Sequence, residues 1–395
     1  MSRRVMFYVQ HLLGIGHLKR ASILAQAMAE AGLDVAVVIG GPAVPGIDFP
    51  GCARILLPTA TAADADFSAI LDEAGRPIDD AWRDARLARL SFEFEALRPH
   101  ILVVEQFPFG RRQFAFELMP LLQAARAAPD RPWVIGSVRD AVVRKSPARG
   151  QEMAKVANAW FDRILVHGDP AVLRLDETLP EVAAIAEKLV YTGYVADPKE
   201  LRLRPRDRTS GRDEVIVSVG GGAVGEPLLR AALTARPSTR LSGHVWRLIC
   251  GPNLPPGIEA ELRWSEEPGI VVDRWRSDLP VLLRNCVLSI SQAGYNTVVQ
   301  LLQAGTRAVV VPFASENETE QEHRARTFAE RGLMSIVAAD AASGEISPAA
   351  LAGAVEAALS APRLGHGVDL GGAEATARIL LDLPCNCPGP GAAGA

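Results

Sequence analysis

Residues 286–321 read CVLSISQAGYNTVVQLLQAGTRAVVVPFASENETEQ. The run 286–291 has the apolar character of a strand buried on both faces, and it enters the small-residue turn Gln292-Ala293-Gly294. A short helix is expected from about Asn296, closed by Gly305, and then a second buried strand over 308–312. The acidic loop beyond it ends in Glu320-Gln321, at the head of another helix. A turn that opens a helix between two parallel strands is an anion site, because its free N–H groups and the helix dipole both favour negative charge.

The same alternation extends outward in both directions. Strand-like runs stand at 5–10, 35–39, 101–104, 134–137, 164–166 and 189–192, with helical segments between most of them. The helix expected from about 18 to 30 carries Ile23, Leu24, Ala27 and Met28 on one face. From 197 to 213 the pattern fails: DPKELRLRPRDRTSGRD is polar and basic and has no apolar face. Alternation restarts at 215–219, 245–250, 270–272, 287–290 and 308–311. The expected architecture is therefore α/β, with parallel, doubly wound sheets in two domains, 1–200 and 214–365, joined by a linker at 201–213. A last helix lies within 366–383, and the Gly/Pro/Ala-rich tail 384–395 is expected to be disordered.

The totals agree with this division. A chain of 395 residues exceeds one ordinary core. Acids and bases are mixed and the net charge is −4, which argues against a nucleic-acid surface. Five cysteines, odd in number and widely spaced, make no disulfide framework, and a reducing cytoplasm is the expected home. No Cys/His cluster has metal-ligand spacing, and no acidic motif stands at a strand end, so no metal is expected. The N-terminal apolar run is broken by Gln10 and His11 and reads as a strand rather than a leader. No stretch reaches the roughly 20 apolar residues of a membrane span.

Three turns and two loops hold the candidate chemistry. In the first turn, Gly14-Ile15-Gly16-His17, the glycines permit a tight strand-to-helix turn, while the full dinucleotide pattern is absent because position 19 is Lys. His17 stands at a helix start, where imidazolium is disfavoured, so it is either a neutral base or a capping residue. The second turn carries Gly220, Gly221 and Gly222 behind an apolar strand. It either brings backbone N–H groups to a phosphate or sugar, or is only flexible. In the third, Gly294, Tyr295, Asn296 and Thr297 either present N–H groups and a hydroxyl to a diphosphate or form an ordinary N-cap. Glu320 and Gln321 either bind sugar hydroxyls or begin a solvated helix. The loops 105–113 and 137–140 follow strands and are loaded with charge. Glu105, Arg111, Arg112 and Arg139 are candidate acceptor contacts, with a surface ion-pair network as the alternative for the arginines. Asp140 would position His17 or an acceptor. His167 reads as a turn or buried histidine. Phe107, Phe109, Phe114 and Phe116 either pack or face a lipid-linked substrate.

Together, residues 291–300, Ala304-Gly305, Val311-Pro312-Phe313 and 318–321, with the Gly220–Gly222 and Gly14–His17 turns, resemble the GT-B superfamily of nucleotide-sugar glycosyltransferases. The likeness is strongest to the family 28 type, which includes the bacterial peptidoglycan N-acetylglucosaminyltransferase. The segments GIGHLKR, EQFPFGRRQ, SVRD, LVHGDP, YTGY and AGYNT also resemble a set of predicted glycosyltransferases. The resemblance implies two Rossmann-like domains facing a central cleft, with the last helix crossing back onto the first domain. It implies an inverting, metal-independent hexosyl transfer from a nucleoside-diphosphate sugar, with uridine as the family's usual base, and no cofactor. His17 would be the general base, oriented by Asp140. Gly16, Gly221 and Gly222 would face the donor. Gly294, Tyr295, Asn296 and Thr297 would bind the diphosphate, Gln321 with Glu320 the sugar, and the backbone at Arg274 and Trp275 the base. Gln300 stands where the family has a ribose-binding Glu, and Ala293 where it commonly has Ser. The acceptor would be lipid-linked, met at the inner membrane surface, or a small molecule. The same segments also resemble nucleotide-sugar hydrolases and 2-epimerases of this fold, and a nucleotide-sugar-binding protein without turnover stays open because of Gln300.

Overall fold

A computed structural model describes residues 2–12, 14–64, 68–202, 209–221, 225–251, 254–264, 268–313, 319–340, 343–361 and 367–385. Gly222, Glu318, part of the expected linker (203–208) and most of the expected tail (386–395) lie outside the described residues.

The apolar runs form two parallel sheets. The first contains β1 (Arg4–Val9), β2 (Asp34–Ile39) and β3 (Ala53–Leu56). After a small antiparallel pair, β4 (Thr61–Ala62) and β5 (Ile70–Leu71), it continues with β6 (Ile101–Glu105), β7 (Trp133–Arg139), β8 (Arg163–His167) and β9 (Leu189–Tyr191). Its strand order is β3-β2-β1-β6-β7-β8-β9. The second contains β10 (Glu214–Ser218), β11 (Val245–Ile249), β12 (Ile270–Asp273), β13 (Leu288–Gln292), β14 (Ala308–Val311) and β15 (Ser335–Ile336), in the order β12-β11-β10-β13-β14-β15.

Side-chain alternation explains why these runs are apolar throughout. In β1 and β6, Met6, Tyr8, Leu102 and Val104 join one core. Val5, Phe7, Val9, Ile101 and Val103 join the core on the other face. The second sheet is covered on both faces in the same way, with Val215 and Val217 on one side and Ile216 on the other. The helix Gly16–Glu30 lays Leu24 and Met28 on the first sheet, and Ala373, Ala377 and Leu380 of the helix Gly372–Asp382 share that core. Phe107, Phe109 and Phe114 are buried in the opposite core.

Each sheet reverses its order once, between β1 and β6 and between β10 and β13. Ligands of open α/β sheets bind at such switch points, outside the carboxyl ends of the strands. Here those ends lead to all three glycine turns. Two small shifts from expectation follow from the ladder. β13 runs through Gln292, which pairs in register with Val311, and the next helix begins at Tyr295. Gly305 closes that helix at φ 64°, a left-handed position where glycine is unstrained.

His167 is completely buried, its ring nitrogens lying 2.9 Å from the hydroxyls of Ser137 and Thr192. Burial, aided by Arg20, pushes its pKa down to about 3, and burial holds the enclosed His11 at about 4. Both stay neutral in the fold, whereas the unfolded chain takes up a proton near pH 6.5. Stability should therefore fall as pH drops from about 6.5 toward 4, by about 1.4 kcal/mol per pH unit for each histidine. These two histidines alone should make urea unfolding differ by about 4 kcal/mol between pH 7 and pH 5, the sum for two groups over about 1.5 units.

Candidate active site

The central cleft measures about 920 Å³ and is lined from both sheets. The first sheet contributes the turn after β1, the loop after β6 and the end of β7. The second contributes Ser218 to Gly221 after β10, Trp275 to Pro280 after β12, Gln292 to Gln300 after β13, and the helix Glu320–Glu330. Gly251 closes on this floor: a Cβ there would lie 2.1 Å from the carbonyl oxygen of Gly220.

His17 is the second residue of the helix Gly16–Glu30. β1 and β6 are parallel neighbours, so the residue ending β6, Glu105, comes to lie directly beneath it. Nδ1 of His17 lies 3.1 and 3.2 Å from the two carboxylate oxygens, and 3.4 Å from an Arg20 nitrogen. A carboxylate cannot donate, so the two shorter contacts place the proton on Nδ1 and leave the Nε2 lone pair free. Arg20, buried with Glu105, donates to the same carboxylate. Burial pushes the His17 imidazole down to about 3, against the opposing charge of Glu105. Burial would raise Glu105, but the imidazole, Arg20 and Arg111 outweigh it and hold the carboxyl at about 2. At neutral pH the imidazole is uncharged, so Arg20 is the contact cation that keeps Glu105 ionised there.

This arrangement corrects two expectations. Asp140 does not orient His17. Its carboxylate is fully buried and takes hydrogen bonds of 2.8 and 2.6 Å from Arg324 and one of 3.1 Å from the Tyr194 hydroxyl. Arg324 is itself fully buried and attracts it more strongly than a neutral imidazole would. Glu105, expected on the acceptor, is fully buried and fills the orienting role instead.

The other expected residues divide in the same way. Gly16, Gly221, Trp275, Gly294, Asn296, Thr297, Gln300, Glu320 and Gln321 all line the cleft, as do Arg111, Arg112 and Arg139. Arg274 does not: its guanidinium turns to Glu259 at 2.6 Å. Tyr295 reaches the cleft, but its side chain serves the fold. Its hydroxyl donates to the His167 carbonyl at 2.8 Å and accepts the Val195 N–H at 3.0 Å. Asn296 donates across the cleft to the Gly16 carbonyl at 3.1 Å. Glu320 pairs with Arg139 at 2.6 Å, and Gln321 accepts the Phe313 N–H at 3.2 Å. Trp275 is half exposed and faces Gly46 across the opening.

Several lining residues were not singled out from the sequence. Lys19 and Arg20 sit inside the quoted GIGHLKR segment, and their charge was the available signal. Lys145 and Arg149 follow β7 without any motif. Glu200 belongs to the polar stretch 197–213, at the edge of the expected linker, and nothing local marks it. Among the described residues the cleft wall carries Lys19, Arg20, Arg111, Arg112, Arg139, Lys145, Arg149 and Arg276 against only two acids, Glu200 and Glu320. In a chain of net charge −4 this is a focused positive site, suited to phosphate-bearing ligands.

Comparison with known proteins agrees with this layout. Residues 216–362 match the glycosyltransferase family 28 C-terminal domain. The UDP-N-acetylglucosamine--N-acetylmuramyl-(pentapeptide) pyrophosphoryl-undecaprenol N-acetylglucosamine transferase of Synechococcus sp. (strain JA-3-3Ab) is 24% identical over 160 residues, covering 40% of this chain and 42% of that protein. The enzyme of the same name from Alkaliphilus oremlandii (strain OhILAs) is 25% identical over 168 residues, covering 40% and 45%. The chain thus spans less than half the length of these curated relatives. The glycotransferase of kitacinnamycin superposes with a TM-score of 0.63 at 15% identity, over 96% of this chain and 99% of that one. The spinosyn rhamnosyltransferase SpnG complexed with thymidine diphosphate superposes at 0.56 and 17% identity, over 95% of each chain. The fold is GT-B: two Rossmann-like α/β domains facing a central cleft. Among the described residues no helix is long and apolar enough to cross a membrane.

Asp140 and Arg324 join the two halves without exposure to water, so removing one partner strands the other charge. Asp140→Ala should lower unfolding free energy by about 3–5 kcal/mol, measured by chemical denaturation. Tyr295→Phe, which leaves one buried N–H and one carbonyl unpaired, should cost about 1–3 kcal/mol.

Proposed function

We propose that this chain, with its GT-B fold and family 28-type C-terminal domain, is a glycosyltransferase that moves a sugar from a nucleoside diphosphate to a hydroxyl acceptor with inversion. The observation that carries the reading is the His17–Glu105 pair, which opens onto a cleft whose other wall is two glycine turns and a helix N-terminus. The acceptor hydroxyl attacks the anomeric carbon while its proton passes to His17 Nε2. The bond from that carbon to the diphosphate oxygen breaks, and a single displacement inverts the centre. Glu105 fixes the imidazole and offsets the positive charge it acquires. The N–H groups at the start of the helix Tyr295–Ala304 and the surrounding guanidiniums take up charge on the departing diphosphate.

Basic side chains of the wall such as Arg111, Arg112 and Lys145 supply neutralisation of the kind a divalent ion provides in other phosphate sites, so the reaction is proposed to be metal-independent. The two curated relatives are named for a UDP-sugar donor and a pyrophosphoryl-undecaprenol acceptor. That supports a uridine donor here. Arg111, Arg112, Lys145 and Arg149 on the first-domain wall support an acceptor that carries phosphate or another anion.

A thermal-shift screen of nucleotide sugars, followed by product analysis with phosphorylated acceptors, tests the reaction. His17→Ala should lower kcat by about 10²–10⁴-fold while nucleotide affinity stays unchanged; full turnover in that variant would remove His17 as the base. Turnover should persist in excess EDTA, and its loss there, restored by a divalent cation, would overturn the metal-independent mechanism. Rapid release of free sugar from donor alone would identify a hydrolase instead.

A further inference from the structure

We propose that Glu200, on the connection between the domains, reads the ribose of the bound nucleotide and so sets the preference for ribonucleotide over deoxyribonucleotide donors; this rests on the nucleotide-sugar reading above. Of the two acids on the described cleft wall, Glu320 is taken up by Arg139 and lies 3.7 Å from Arg324. Glu200 is differently placed. One carboxylate oxygen accepts from Gln300 Nε2 at 2.9 Å, and the other meets Lys19 Nζ at 2.8 Å. Its side chain keeps 13% of its exposure and lines the cleft. Each carboxylate oxygen accepts two hydrogen bonds, so both retain acceptor capacity.

A carboxylate repels phosphate. Inside a basic cleft it marks the place of a neutral group that donates hydrogen bonds. A nucleoside diphosphate carries one such group beside its phosphates, the ribose hydroxyls. The position agrees. The helix starts at Tyr295, and Thr297 and Gln300 are three residues apart, about 4.5 Å along the axis. A diphosphate held at the first turn thus puts its ribose beside the Gln300–Glu200 pair. The segment bearing Glu200 is also fixed from the same helix, since Gln303 Nε2 donates to the Asp197 carbonyl at 2.8 Å.

Calorimetric titration with uridine diphosphate and 2′-deoxyuridine diphosphate tests the assignment. The wild type should bind the ribonucleotide about ten- to a hundredfold more tightly, the span of a charge-assisted hydrogen bond. Glu200→Ala should bring the ratio near one while leaving deoxyribonucleotide affinity intact, which shows that the fold and phosphate site survive. If the alanine variant loses both nucleotides, Glu200→Gln, which keeps the side chain's size, takes its place, and a reduced ratio is expected there too. A ratio that persists in the variant, or a wild type that does not discriminate, overturns the role of Glu200 and leaves the donor site standing. A wild type that binds neither these nucleotides nor any other nucleoside diphosphate overturns the nucleotide reading itself, and this inference with it.

Discussion

Tyr295 lies between two buried guanidiniums, with Arg20 5.1 Å and Arg324 5.7 Å from its ring centroid. Each arginine belongs to a different ion pair, Arg20 with Glu105 and Arg324 with Asp140. A desolvated cation over an aromatic face contributes about 2 kcal/mol or more. More important is the connection it makes. The imidazole at the cleft, the carboxylate beneath it and the salt bridge between the domains form one packed series through a single tyrosine. The orientation of His17 therefore depends on the seating of the second domain on the first.

The apolar contacts around this series work in the same direction. Ala141, Val172, Leu173 and Tyr194 from the first half share one core with Leu282, Val298 and Phe328 from the second. The buried charges are costly to desolvate, and they persist because each has a partner of opposite sign. What remains unbalanced is at the cleft surface, where positive charge prevails. An anionic ligand of the kind proposed above would complete that balance.

Much of this was legible in the residues. The buried strands were visible as continuous apolar runs, since a parallel sheet covered on both faces admits little polar alternation. The three glycine turns were legible because they follow such runs directly. Ala53–Leu56 was not, because it is an edge strand whose side chains are largely exposed and carry no burial pattern. The helix Asp80–Leu97 buries only Arg86, Leu90 and Phe94, and Arg86 is paired with Glu117 beneath the sheet, which no local pattern announces. At the site, the partner of His17 was assigned to Asp140 when it is Glu105. Both acids end neighbouring stretches of the first sheet, and only strand order distinguishes them. β6 is next to β1, whereas β7 lies one strand further away.

The sequence by itself determined the fold class, the position of the turns and the place of His17 at a helix start, because those follow from periodicity and from residues within a few positions of one another. The tertiary structure decided the pairings. Glu105 with His17, Asp140 with Arg324 and Glu200 with Gln300 join residues 88, 184 and 100 positions apart. Hydrogen bonds and charge attraction are nonspecific in sequence, and a chain with 46 acids and 42 lysines and arginines offers many alternative pairings. Only the folded path of the backbone selects which of them lose their water together.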